Sequence, residues 1–114
     1  MKDCIFCKII AGEIPSQKIY EDEYTYAFMD IQPQVKKHAL VIPKTHVSGL
    51  NQLMALSNEE HSAILKTCAK VAMLLGLQED GYRVVSNCGK NACQSVPHLH
   101  FHVMGGEELS SKMG

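Results

Sequence analysis

Apolar positions along the chain change period several times, and each change marks an element. Ile5, Phe6, Ile9 and Ile10 repeat at i, i+4 spacing, so residues 3–11 predict a short helix with Asp3 as its cap. Gly12 and Pro15 end it. Residues 18–21 and 24–29 are rich in aromatic and β-branched side chains and flank Asp22-Glu23, a hairpin pattern. Ala39 to Ile42 is a continuous apolar run ending at Pro43, which suits a central strand. A short helical turn is expected within 46–56. The clearest helix spans 57–75. Ser57 and Glu60 form a capping box, and Ile64, Leu65, Cys68, Val71, Ala72 and Leu75 make one stripe. Gly76 closes it. Residues 82–87 read as a strand, and 89–95 as a polar loop. Residues 98–104 alternate strictly and read as the last strand. The order predicts an α+β fold: an antiparallel sheet of about five strands with one short and one long helix.

Composition narrows the classes. The chain has 114 residues, 46% of them apolar, which suits one domain and excludes a disordered chain. Eleven basic side chains nearly balance twelve acidic ones, so no field favours a long nucleic acid. No apolar stretch approaches a membrane span, and no export signal is visible, so a cytoplasmic setting is expected. There thiols stay reduced, and the odd count of five cysteines also disfavours a disulfide set.

The six histidines are not scattered. His98, His100 and His102 occupy alternate positions of the last predicted strand, so their imidazoles share one face while Leu99, Phe101 and Val103 anchor the other. Crowding three titratable rings carries a desolvation and repulsion cost that is tolerated mainly at sites. Two chemistries compete. The rings bind a catalytic metal, with Glu107 as a further ligand, or one ring is a nucleophile toward phosphorus and the others orient it. Asn87, Gln94, Ser95 and the Gly89 backbone offer uncharged donors for phosphate oxygens. Cys4-Ile5-Phe6-Cys7 is half of a tetrahedral zinc site, or two buried thiols, or a redox pair that lacks its usual βαβ setting. Lys36, Lys37 and Lys44 read as a small basic cluster and His61 as a surface residue.

The segment from Gln94 to Met104 resembles the histidine triad (HIT) family, whose His-φ-His-φ-His-φ-φ signature (φ apolar) fits without a gap. Ile5 to Ile10, Glu13-Ile14-Pro15, Asp30-Ile31, His38 to Lys44 and Gly81-Tyr82-Arg83 also look like segments of its Hint branch. The resemblance implies one HIT domain over 1–114 and a homodimer. It implies hydrolysis or transfer of purine nucleoside phosphoramidates or related nucleotide conjugates. His100 would be the nucleophile, forming a covalent nucleotidyl intermediate. His102 would contact the phosphate, and His38 would support the nucleophile. Ser95, with the backbone of Gln94 and Cys93, would hold phosphate oxygens or the leaving group, with Asn87 nearby. Asp30 would accept the ribose hydroxyls. Ile5, Phe6, Ile9, Phe28 and Ile31 would form the slot for the base, although core packing alone would explain their type. Some members use the C-x-x-C with two histidines, here His46 and His98, as a structural zinc site. No organic cofactor is expected. Cys93 stands where the Hint pattern has glycine, which either restricts close backbone approach or means that φ is negative there. Two rival readings stay open: a metal-dependent hydrolase that uses the triad as ligands, and a nucleotide-binding regulatory dimer without turnover.

Overall fold

The computed structural model describes residues 3–112. Its elements are α1 (Ile5–Ile10), β1 (Lys18–Glu21), β2 (Thr25–Met29), β3 (Lys37–Pro43), α2 (Asn58–Leu74), β4 (Tyr82–Val85) and β5 (Phe101–Gly105), with short 3₁₀ turns at Leu50–Ala55 and Lys90–Ala92. The strands form one antiparallel sheet in the order β1-β2-β3-β5-β4. This is the α+β architecture the pattern predicts.

Both faces of the central strands are covered, which is why β2 and β3 read as continuous apolar runs. Ala27, Ala39, Val41 and Val103 point to one face and pack with Cys68, Val71 and Ala72 of α2. Tyr26, Phe28, Leu40 and Ile42 point to the other and pack with Cys4, Phe6 and Ile9 around α1. Leu99 joins Val47, Leu56 and Ile64 on the α2 side. α2 begins with the predicted capping box: the Glu60 N–H donates to Ser57 Oγ, and the Ser57 N–H donates to Glu60 Oε1. At its end the Leu77 N–H reaches the Ala72 carbonyl across Gly76, whose φ is +74°.

Several sequence expectations shift. α1 is capped by Cys4, whose Sγ accepts the Cys7 N–H at 3.4 Å, and Asp3 is exposed before it. Leu65 leaves the buried stripe and is 64% exposed, while Thr67 enters it and bonds Thr25 at 2.8 Å. His61 is half-buried and bonds the Leu53 carbonyl through Nε2 at 2.7 Å. Lys36 and Lys37 sit at the start of β3 and Lys44 follows its end, where it pairs with Glu21, so they form no cluster. The last strand starts at Phe101, three residues later than predicted. Pro97 has no N–H to give a ladder, and the Leu99 N–H goes to Val47 instead of to β3. No helix among the described residues is long and apolar enough to cross a membrane.

Candidate active site and metal centre

The three triad histidines lie on the α1 side of the sheet but do not converge on one point. His98 turns its Nδ1 toward α1. It lies 3.2 Å from Cys4 Sγ, 3.6 Å from Cys7 Sγ and 3.1 Å from His46 Nδ1. Cys7 Sγ is 3.4 Å from His46 Nδ1. The four donor atoms lie within 4.8 Å of one another. A zinc tetrahedron with bonds of ~2.0–2.3 Å has edges of about 3.3–3.8 Å, so this donor set has the size and the chemistry for that ion. The other His98 nitrogen, Nε2, donates to the Pro43 carbonyl at 2.9 Å, which leaves the Nδ1 lone pair toward the thiols. Burial, with His46 and His100 adding like-charge repulsion, pushes His98 down to about 4, against the raising effect of the Pro43 carbonyl; the ring is neutral, the form that a metal ion would require. Burial and the neighbouring Cys4 push the Cys7 thiol up to about 11, a cost that a bound cation reverses.

His100 follows a different rule. Its Nδ1 donates to the His98 carbonyl at 2.7 Å. A carbonyl only accepts, so the proton of the neutral ring sits on Nδ1 and the lone pair on Nε2. Nε2 has no partner among the described residues, and His100 lines a cleft of about 690 Å³. The Phe6 ring meets His100 edge-on at 5.2 Å and His98 at 5.8 Å.

His102 carries the opposite tautomer. The Gln34 backbone N–H donates to His38 Nδ1 at 3.0 Å, which puts the His38 proton on Nε2. That proton goes to His102 Nδ1 at 2.8 Å, with Asp30 Oδ2 a further 3.4 Å partner. His102 therefore keeps its own proton on Nε2. Burial, then repulsion from His100 and His38, holds His102 down to about 4 against the pull of Asp30. Burial lowers His38 as well, again opposed by Asp30. The two neighbouring rings, 5.2 Å apart, thus differ in kind: His100 has a free lone pair and His102 a free N–H.

The cleft is also lined by Asn87, Cys93 and Ser95, by Arg83 and Glu107, and by Val85 and residues 108–110, which the pattern did not single out. The alternation of β4 held that signal: Arg83 and Val85 pair with Met104 and His102 of β5, on the histidine face. Ser95 Oγ and the Asn87 amide have no protein partner among the described residues. Other expected donors are already spent. The Gly89 N–H donates to Gln94 Oε1, the Gln94 N–H to the Gly89 carbonyl, and the Cys93 N–H to the Lys90 carbonyl. Gln94 Nε2 ties the loop to the Ser48 and Val96 carbonyls, so this side chain clamps the loop. Cys93 sits at φ +60°, ψ +40°, so the position keeps the left-handed backbone of a glycine despite its Cβ. Of the five slot residues, Phe6, Ile9 and Phe28 are buried together, whereas Ile5 is 42% and Ile31 85% exposed. Asp30 is half-buried, and its Oδ1 accepts the Gln32 N–H.

The chain is similar to known proteins in sequence and in fold. The profile of the HIT domain matches residues 11–109. The 14 kDa zinc-binding protein of Zea mays is 49% identical over 109 residues, 93% of this chain and 84% of that protein. The purine nucleoside phosphoramidase of Escherichia coli K12 is 38% identical over 108 residues, 95% of this chain and 91% of that protein. The structure of a HIT family hydrolase from Clostridium thermocellum superposes with a TM-score of 0.90 at 40% identity, covering 99% of this chain and 98% of that one. With its His98-Leu99-His100-Phe101-His102 segment at the head of β5 and the Cys4–Cys7 pair beside it, the chain belongs to the HIT family, on the branch that carries the zinc-type C-x-x-C.

Proposed function

We propose that the protein hydrolyses nucleotide conjugates at the α-phosphorus, through a nucleotidyl adduct on His100. The observation that carries this reading is the pair of opposed tautomers, a free lone pair on His100 Nε2 beside a free N–H on His102. A lone pair attacks phosphorus, and an N–H steadies the charge that grows on a phosphoryl oxygen. Ser95 Oγ and the Asn87 amide supply further uncharged donors in the same cleft. The name of the Escherichia coli relative supports a purine nucleoside phosphoramidate as substrate.

The electron pair of His100 Nε2 forms an N–P bond as the P–N bond to the leaving amine breaks. That amine departs with a proton, from Ser95 Oγ or already carried by the substrate. Water then attacks phosphorus on the opposite side, the His100 N–P bond breaks, and the nucleoside monophosphate leaves with the oxygen of that water. Its surplus proton returns to Ser95 or to solvent. Asp30 and the exposed Ile31 beside it support a ribose and base site next to His38, with Ile5, Phe6 and Ile9 of α1 and Phe28 of β2 backing the base. Zinc held by Cys4, Cys7, His46 and His98 supplies a closed structural crosslink between α1 and the loops after β3 and before β5.

A homodimer completes this reading. β4 is an edge strand whose Tyr82 and Val84, both 40% exposed, share the α2 side of the sheet with Gly105 and Val103. Leu65, Ala69 and Met73 extend an exposed i, i+4 stripe along α2. Pairing of two β4 edges would cover both. Sedimentation should give a dimer, and Val84→Lys a monomer. All five cysteines are unpaired, which supports a reducing, cytosolic setting.

The test is rapid-quench mass spectrometry with an adenosine phosphoramidate. An AMP adduct on His100 is expected, and His100→Ala should lose turnover while still binding nucleotide. Intact turnover without an adduct, or a His100→Ala variant at most of the wild-type rate, overturns the covalent route. Loss of turnover on chelation, with no adduct at any time, favours the metal-dependent rival. Tight nucleotide binding without turnover favours the regulatory dimer.

A further inference from the structure

His98 takes part in both centres through different atoms. Its ring Nδ1 belongs to the cysteine cluster, and its backbone carbonyl fixes the proton of His100 at 2.7 Å. Its remaining polar groups are tied as well: Nε2 to the Pro43 carbonyl at 2.9 Å, and its N–H to the Val96 carbonyl at 2.8 Å. A second route joins the same two places. Cys4 and Cys7 frame the first turn of α1, and Phe6 between them sets its ring edge-on against both His98 and His100. The segment from Val96 to His100 has no sheet ladder of its own, since β5 begins at Phe101. Its position therefore depends on a few separate ties: the Leu99 N–H to the Val47 carbonyl, the Ser86 hydroxyl to the His100 carbonyl, and the cysteine cluster.

We infer that the Cys4–Cys7–His46–His98 centre, when it holds its metal, sets the aim and the tautomer of His100 through the His98 carbonyl and the Phe6 ring. Phe6 and His98 are positioning residues for the nucleophile. This rests on His100 being the attacking group. The physical reason is geometric. With Nδ1 held by a cation and Nε2 held by Pro43, the His98 ring cannot pivot. A fixed ring fixes the local backbone, and hence the carbonyl that keeps the His100 proton off Nε2. Without the cation, the four donors sit 3.1–3.6 Å apart with nothing common to hold them, and the His98 ring keeps only its Pro43 anchor. A misaimed nucleophile costs rate more than binding, because the phosphate is held by other groups: His102, Ser95 and Asn87.

The experiment compares the full-length protein loaded with zinc, stripped by a chelator, and reloaded. Long-range ¹H–¹⁵N NMR reads the His100 tautomer, and steady-state kinetics with an adenosine phosphoramidate reads kcat and KM. Stripping should lower kcat about 10- to 100-fold with KM within about twofold, for a displacement of the order of 1 Å. The His100 ring signals should pass from a single Nδ1–H form to an exchange average, and zinc should restore both. A stripped, folded protein that keeps the Nδ1–H form and its kcat overturns the inference. If stripping unfolds the chain, exchange of zinc for the larger cadmium ion keeps the cluster filled while moving His98. A fall in kcat at constant KM with shifted His100 signals then supports the inference, and unchanged kcat and signals overturn it. The NMR reading separates the two ideas. A metal-dependent tautomer in a protein whose adduct never forms on His100 refutes the nucleophile and leaves the coupling standing.

Discussion

Two groups of metal-type donors lie on the same side of the sheet, and they behave oppositely. Cys4, Cys7, His46 and His98 form one, and Asp30, His38 and His102 the other. In the first, the closest atoms are 3.1–3.6 Å apart, close to the edge lengths of a zinc tetrahedron. In the second, His38 Nε2 and His102 Nδ1 are only 2.8 Å apart, a length that a shared proton fills and a cation does not. Asp30 adds a 3.4 Å contact and spends its other oxygen on the Gln32 N–H. Clustering of donor types therefore does not by itself make a metal site. The separations, and what occupies the second nitrogen of each ring, distinguish a donor set sized for a metal ion from a hydrogen-bonded pair of rings.

The largest way to break the contrast is Cys4→Ala. Zinc should fall from about one per chain to none by elemental analysis, and Tm should drop by more than about 10 °C, since structural metal binding is folding energy. Retained stoichiometry would mean that the four donors do not act together. Next comes His38→Ala, which should leave zinc in place and release the His102 tautomer. About a 10- to 100-fold fall in kcat is expected, below the ~10²–10³ cost of deleting a charge-stabilising donor outright. In a His102→Ala background the same change should add little, and a fully additive loss would break the proposed pairing of the two rings.

Acid sharpens the comparison further. His102 is held down to about 4 from an ordinary value of 6.5, chiefly by burial. Below about pH 6.5 the unfolded chain takes up a proton that the folded ring refuses. The stabilising difference is thus complete above that pH and is lost as pH falls toward 4. For a half-buried ring this is on the order of 2 kcal/mol. Denaturant titrations of His102→Asn should show a shallower decline over that window, and an unchanged slope would put the acid sensitivity elsewhere. The smallest effect is expected at Cys93, whose φ of +60° suits glycine. Cys93→Gly should stabilise the loop by about 0.5–1 kcal/mol, readable as a shift in denaturant midpoint.

Much of this was legible in the sequence, for identifiable reasons. A period of two told which rings share a face, and Leu99 and Val103 do anchor the opposite side. The capping box and Gly76 marked α2 correctly because caps are local chemistry. What stayed hidden depends on the partners of individual atoms. No pattern of residue types reveals that His98 and His100 use different nitrogens, or that Gly89 and Gln94 have spent their donors on each other. Leu65 looks like core by type and lies exposed on the flank of α2. Cys4 displaced Asp3 as the cap because α1 starts at Ile5, which puts the Cys4 thiol within reach of the Cys7 N–H.

The ladder between β3 and β5 also works as a ruler. Its register sets His38 opposite Met104 and Leu40 opposite His102, so His38 and His102 meet on the diagonal. Pro43, at the far end of the same strand, meets the His98 ring. One inserted residue in either strand would turn a histidine to the wrong face. Two would restore the face but carry it about 6–7 Å along the strand, out of reach of its partner. Insertions and deletions compatible with activity are thus confined to the connections: the hairpin at Asp22, the segment from Leu50 to Ala55 and the turn before β4. Between Lys37 and Pro43, and between His98 and Gly105, the chain can change its letters but not its length.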